Sequence, residues 1–254
     1  MTFIVVNFIF IILIFLISAV IARILIPRIL LISLRKKLFD IPDDRKVHKR
    51  AIPRLGGVSF FPTTLFAFCL VYTFRLLGGD SVSTLYASYL LPELLLFACG
   101  MTLLYLTGIA DDLVGVRYRQ KFVIQIFCAC LFPLSGLWIN DLYGLFGIHE
   151  LSAYVGIPFT VLTVVFITNA INLIDGIDGL ASGLSSVALL VFIFLFISKG
   201  LWSYAMLSAG TFGVLVPFFY YNVFGSVERA RKIFMGDTGS LTLGYTLSFL
   251  AIKY

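Results

Sequence analysis

Three groups of carboxylates stand where this sequence passes between apolar and polar stretches. Asp111 and Asp112 follow one long charge-free run. Asn169, Asn172, Asp175 and Asp178 recur three residues apart between two others, and Asp237 lies between Gly236 and Gly239 at the entry to a fourth. Ionisable groups near membrane depth are costly and usually face a polar cavity that has a task. If one helix runs through the second group, the spacing makes a slowly drifting polar stripe, with Leu173, Ile174 and Ile177 pointing elsewhere. Helix capping explains part of the pattern: Asp175 or Asp178 for a helix starting near Gly179, and Asp237 for its own. A cap accounts for one Asp, though, not for two Asp and two Asn in phase. Gly176 and Gly179 permit close backbone approach or a helix break, and Gly236 and Gly239 close approach of a ligand.

Hard oxygen donors of this kind suit Mg²⁺, with Mn²⁺ as the alternative. Mg²⁺ typically takes one or two carboxylates and completes its shell with substrate phosphates. Such an ion neutralises a pyrophosphate and stabilises charge at the attacked phosphorus. No nucleophilic Ser or Cys motif, phosphate-binding P-loop or dinucleotide glycine pattern accompanies the acids. The chemistry they point to is phosphoryl or phosphosugar transfer to a lipid phosphate.

The elements that must position these residues are membrane helices. The chain has 254 residues, 60% hydrophobic and only 13% charged, whereas soluble domains carry about a quarter charged residues. Charge-free stretches cover 2–22, 55–74, 94–110, 122–140, 151–174, 179–198, 201–226 and 238–252, and a helix needs about 20 apolar residues to cross the hydrocarbon. The ten-residue alternation of a membrane barrel is absent. The prediction is an all-α polytopic transmembrane helical bundle of about eight spans, with 1–254 as a single domain. Stretch 2–22 has no basic leader and no small-x-small cleavage site before Arg23 and Arg28, so it reads as a retained span rather than a signal peptide.

Basic residues set the orientation. Eight fall in 35–54, including Lys49, Arg50 and Arg54; Arg117, Arg119 and Lys121 follow the third span, and Arg229, Arg231 and Lys232 the seventh. The other face has Arg75, Lys199 and Lys253. The N-terminus is therefore expected outside and the carboxylate-bearing loops cytoplasmic. The net charge of +6 is this topology signal plus attraction to anionic headgroups, so membrane lipids and not nucleic acid are the expected partners. Cys69, Cys99, Cys128 and Cys130 lie in apolar stretches, spaced for neither zinc nor disulfides, and read as packing residues. Asp80, Glu93, Asp141 and Glu150, scattered on the outer side, read as solvated loop charges.

Four segments together resemble the polyprenyl-phosphate N-acetylhexosamine-1-phosphate transferases, also called glycosyltransferase family 4: HKRAIPRLGG at 48–57, DDLVGV at 111–116, NLIDGIDGLA at 172–181 and FMGDTGSL at 234–241. The third and fourth are the specific ones. The resemblance implies a Mg²⁺-dependent phosphoglycosyltransferase of the bacterial plasma (inner) membrane. It would join a UDP-N-acetylhexosamine to undecaprenyl (polyprenyl) phosphate and release UMP; a homodimer is compatible with it. By motif, Asp237 resembles the metal ligand and Asp175 a nearby acid of the metal–pyrophosphate site. Asn172 and Asp178 resemble nucleotide-positioning residues. Asp111 resembles the group that takes the lipid-phosphate proton, with Asp112 beside it. An ordinary Asp is a weak base, so electrostatic positioning is the other reading of Asp111. Lys49, Arg50 and Arg54 either bind phosphate oxygens or only mark the cytoplasmic side, and His48 reads as an interfacial polar residue.

Within the family, PRLGG at 53–57 resembles the branch that uses UDP-N-acetylglucosamine for O-antigen, enterobacterial antigen, teichoic acid or capsule. The branch for the peptidoglycan precursor, phospho-MurNAc-pentapeptide, usually carries a TPTMGG-like segment instead and stands as the alternative. Family members usually have about ten spans and a His-rich cytoplasmic loop associated with sugar recognition. This chain is expected to be C-terminally short by comparison, which keeps open an inactive truncated member or an assembly subunit. A carrier or channel, the rival class, would place its acids at mid-span.

Overall fold

The computed structural model describes residues 2–40, 52–78, 81–226 and 228–254. Among them are eight helices: α1 (Thr2–Arg35), α2 (Phe60–Leu77), α3 (Ser81–Val114), α4 (Tyr118–Leu134), α5 (Ala153–Ile174), α6 (Leu180–Ser198), α7 (Trp202–Val223) and α8 (Gly236–Lys253). Two-residue strands β1 (Phe39–Asp40) and β2 (Ile52–Pro53) pair antiparallel between α1 and α2. The all-helical multi-pass bundle expected from the charge-free stretches is what forms.

Six of the eight, within Ile4–Arg35, Gly56–Leu77, Leu90–Val114, Ala153–Ile174, Leu180–Ser198 and Trp202–Val223, are long and apolar enough to cross a bilayer. The other two depart for different reasons. α4 has 17 residues, about 26 Å of rise. α8 is rich in Gly, Thr and Ser because it faces protein rather than lipid, and residues 238–250 are buried along its whole length. With no water to bond, its hydroxyls turn back on their own helix: Thr242 Oγ1 donates to Thr238 O at 2.7 Å, Thr246 Oγ1 to Thr242 O at 2.8 Å, and Ser248 Oγ to Gly244 O at 2.8 Å.

α1 outruns the stretch 2–22. Its 34 residues rise about 51 Å, more than the roughly 30 Å hydrocarbon core. The exposed Arg23 guanidinium lies 5.3 Å from the ring centroids of both Tyr220 and Tyr221 on α7, as an interfacial anchor would. Small residues Gly210 and Gly213 of α7 let α1 approach at Ile14, Phe15 and Ser18.

Of the four outer-side acids, Asp80 lies outside the described residues. Asp141 and Glu150 fall on the α4–α5 connection, as expected of loop charges. Glu93 does not: it sits inside α3 with 14% side-chain exposure and accepts from Lys253 Nζ at 2.8 Å and from the Tyr204 hydroxyl. It staples α3, α7 and α8 at the pole opposite Asp237. Breaking a fully buried pair costs about 3–5 kcal/mol; with partial exposure on both sides we expect about 1–2 kcal/mol. Glu93→Leu should accordingly lower the thermal unfolding midpoint of the purified protein, and adding Lys253→Leu should recover part of the loss.

Candidate active site

The first and fourth motifs are zipped together by their backbones. Pro53 O accepts from Phe234 N at 2.7 Å, Gly56 N donates to Phe234 O at 2.9 Å, and Gly57 N donates to Met235 O at 2.8 Å. Gly57 packs directly on Gly239, whose own Cβ, if present, would lie 2.7 Å from Gly57 Cα. At Gly239 the close approach expected of a ligand is made by the Gly57 backbone. Tyr105 of α3 donates to Val58 O at 3.1 Å and adds the third element.

At this junction the carboxylates meet. Asp111 and Asp112 form part of the last turn of α3, and Asp237 of the first turn of α8. Lys121 Nζ bridges two of the motifs, donating to Asp111 Oδ2 at 2.7 Å and to Asp237 Oδ1 at 2.6 Å. Val116 N donates to the other Asp111 oxygen at 2.6 Å. Asn172 Nδ2 donates to Asp237 Oδ1 at 2.5 Å and to Ser240 Oγ at 2.8 Å. The geometry thus gives Asn172, expected at the nucleotide, a place holding Asp237.

Asp112, grouped above with the reacting residues, is directed at the start of α8. Its side chain is fully buried. Its oxygens accept from Asp237 N at 2.9 Å, Thr238 N at 3.0 Å and Thr238 Oγ1 at 2.6 Å. It caps α8 from α3, and Asp237 makes no cap of its own. Arg54 Nη2 donates to the Asp112 main-chain oxygen at 3.1 Å. Lys49, with His48 and Arg50, lies outside the described residues.

The stripe at 169–178 is not continuous, because α5 ends at Ile174 and Asp175 is its C-cap. Its members reach different partners. Asn169 Nδ2 donates to Gln125 Oε1 of α4 at 2.5 Å, and the Gly236 N–H lies near enough to Asp175 to favour its charged form. Asp178 pairs with Lys232. Neither Asp caps α6: Gly179 N donates to Asn222 Oδ1 at 2.7 Å, and Asn222 Nδ2 donates to Ile233 O at 3.0 Å. Burial, then the nearby Asp237 charge, pushes the Asp175 carboxyl well above the usual carboxylate range, against the pull of the Gly236 N–H.

Sequence reasoning missed Lys121 and Lys232, counted only as orientation charges, and also Thr238, Gln125 and Asn222. Lys121 had a signal, since it lies in the first turn of α4 ten residues after Asp111. The others take their parts from contacts across 11 to 126 positions of sequence.

Counting these side chains alone, five carboxylates (Asp111, Asp112, Asp175, Asp178, Asp237) face three cations (Arg54, Lys121, Lys232). The preponderance of carboxyls, with Asp175 raised by burial and by the Asp237 charge, suits a dication that would offset their mutual repulsion. Among the described residues no three His, Cys, Asp or Glu side chains form a ready cage, and Mg²⁺ completed by substrate phosphates needs none. The residues fit such an ion at Asp237 and Asp175. All these acids lie at helix ends on one pole, unlike the mid-span acids of a carrier.

The sequence profile of glycosyl transferase family 4 matches residues 94–254. A probable undecaprenyl-phosphate N-acetylglucosaminyl 1-phosphate transferase of Bacillus subtilis (strain 168) is 33% identical over 222 residues, which is 87% of this chain and 56% of that protein. Undecaprenyl-phosphate alpha-N-acetylglucosaminyl 1-phosphate transferases of Yersinia pestis and Escherichia coli (strain K12) are 29% and 30% identical, over 57% and 56% of their lengths and 87% of this chain in each case. The chain spans about half the length of the curated relatives it matches.

Proposed function

The chain belongs to glycosyl transferase family 4, and on that premise we propose that it transfers N-acetylglucosamine 1-phosphate from UDP-N-acetylglucosamine to undecaprenyl phosphate, releasing UMP. The observation that carries this reading is the Lys121 bridge between Asp111 and Asp237, with Asn172 on the same Asp237 oxygen. It gathers three motifs into one charged site at one pole of the bundle. The relatives' names supply the sugar and the lipid.

In the reaction an oxygen of the lipid phosphate attacks the β-phosphorus of the sugar nucleotide. A new phosphorus–oxygen bond forms to the lipid, the α–β bridge breaks, and the bridging oxygen leaves with UMP. Mg²⁺, or Mn²⁺ in its place, held by Asp237 and Asp175, would neutralise the pyrophosphate and the charge developing on the leaving group. Asp111, fixed by Lys121 and the Val116 N–H, faces the entering lipid phosphate as base or as electrostatic guide. Asp178 and the turn at 175–179 receive the nucleotide, and Arg54, with Lys49, the phosphates. The basic residues of the connecting loops support a cytoplasmic placement of this pole with the N-terminus outside, and the bacterial sources of the relatives support the inner membrane.

Membranes containing the chain should release UMP only when UDP-N-acetylglucosamine, undecaprenyl phosphate and a divalent cation are all supplied, and EDTA should stop the reaction. UMP release without the lipid, or none with all three, contradicts the proposal. Lys121→Met should lower the rate about 10²-fold, in the range for one lost electrostatic contact, measured as UMP formed at saturating substrates.

A further inference from the structure

Thr238 is completely buried beside Asp237 and is given no role in the transfer reaction proposed above. Its Oγ1 donates to Asp112 Oδ2 at 2.6 Å and its N–H donates to the same oxygen at 3.0 Å; the Asp237 N–H takes the other oxygen at 2.9 Å. The N-cap residue of α8, Met235, makes no side-chain cap bond. The first amides of α8 are thus held by a carboxylate from a different helix. The fit is tight on both sides. A Cβ at Gly108, one turn before Asp112 on α3, would collide with Thr238 Cα, and one at Gly236 (φ +75°) would lie 2.8 Å from each Asp112 oxygen.

We propose that the Thr238 hydroxyl and Asp112 form a latch that aims the Asp237 carboxylate at Lys121 and Asn172, making Thr238 a positioning residue of the transfer reaction. This rests on the reading of Asp237 given above. Asp237 precedes Thr238 by one peptide and its own N–H bonds Asp112, so its side-chain direction is set by how firmly the first turn of α8 is held. Short hydrogen bonds to an ionised carboxylate are strong and directional. Valine in place of Thr238 keeps the volume but leaves Asp112 Oδ2, buried, with one donor fewer. A cap that served stability alone would lower the melting temperature of that variant and leave turnover and metal affinity intact.

The test uses the 254-residue chain in nanodiscs, with Thr238→Val, Thr238→Ser, Asp112→Asn and the Thr238→Val/Asp112→Asn double variant. Thr238→Val should lower kcat for UMP release 10–100-fold, as outer-shell losses do, with KM for UDP-N-acetylglucosamine changed less than about threefold. Mn²⁺ affinity, read by EPR titration without substrates, should weaken by about the same 10–100-fold. Amide exchange across 236–238 should accelerate. Thr238→Ser, which keeps the hydroxyl, should restore all three readouts, and the double variant should be no worse than Asp112→Asn, because the two groups act as one. A Thr238→Val protein with parental kcat and Mn²⁺ affinity overturns the proposal, as does Thr238→Ser failing as badly as Thr238→Val. If the parent chain itself releases no UMP, the transfer reading fails alone, and the Mn²⁺ and exchange measurements still decide the latch.

Discussion

Asp237→Asn should reduce UMP release by about 10³-fold while leaving the protein folded. The substitution is nearly isosteric, and an amide oxygen can still accept from Asn172 and Lys121 at the Oδ1 position. What disappears is a full negative charge where Asp111, Asp175 and Asp237 approach one another. Lys121 then balances Asp111 alone, and the dication loses its main ligand. Such a site acts by holding charge in a fixed place in a medium that screens poorly, so loss of charge should appear in kcat more than in the melting temperature. Measured side by side, thermal unfolding within a few degrees of parent and turnover near background is the expected pair of results.

The second large effect is on the fold. A Cβ at Gly57 would land on the Cα and N of Gly239, and one at Gly239 would press on Gly57 and the Met235 side chain. At Gly57 all three nearest atoms are backbone, which leaves no flexible atom to give way. Gly57→Ala should therefore force the turn at Gly56–Ser59 away from α8 and strain the Gly57 N to Met235 O and Gly56 N to Phe234 O bonds. Overpacking in well-packed interiors costs about 1–3 kcal/mol, occasionally more, and loss of one ladder bond adds about 1 kcal/mol. Gly57→Ala and Gly239→Ala should both unfold well below the parent in a detergent melt. Gly78→Ala, whose Cβ would meet nothing closer than 3.4 Å, should match the parent.

Much of this was legible in the sequence because it depends on local pattern. Charge-free stretches mark membrane helices, since lipid tolerates neither charge nor unpaired backbone. The clustering of Asp111, Asp175 and Asp237 at span ends points by itself to a single pole. Other features depend on which helices meet, which spacing does not encode. α8 reads as one more lipid-facing span, yet it is enclosed by protein. Glu93 resembles a loop charge because its partner Lys253 lies 160 residues away. Asp112 looks like a twin of Asp111 but points into α8, because adjacent residues on a helix project about 100° apart. The 169–178 stripe presumed a helix that ends at Ile174, so its four polar residues diverge to different partners.

The most direct test of the central claim uses UDP-N-acetylglucosamine labelled with ³²P at the β-phosphorus, with undecaprenyl phosphate and membranes containing the parent chain or Asp237→Asn. The account predicts that β-³²P passes into the lipid extract in step with UMP release, one for one, and that the Asp237→Asn membranes transfer almost none. Label leaving as UDP, label remaining in the aqueous phase while UMP forms, or equal transfer by the Asp237→Asn protein would contradict it.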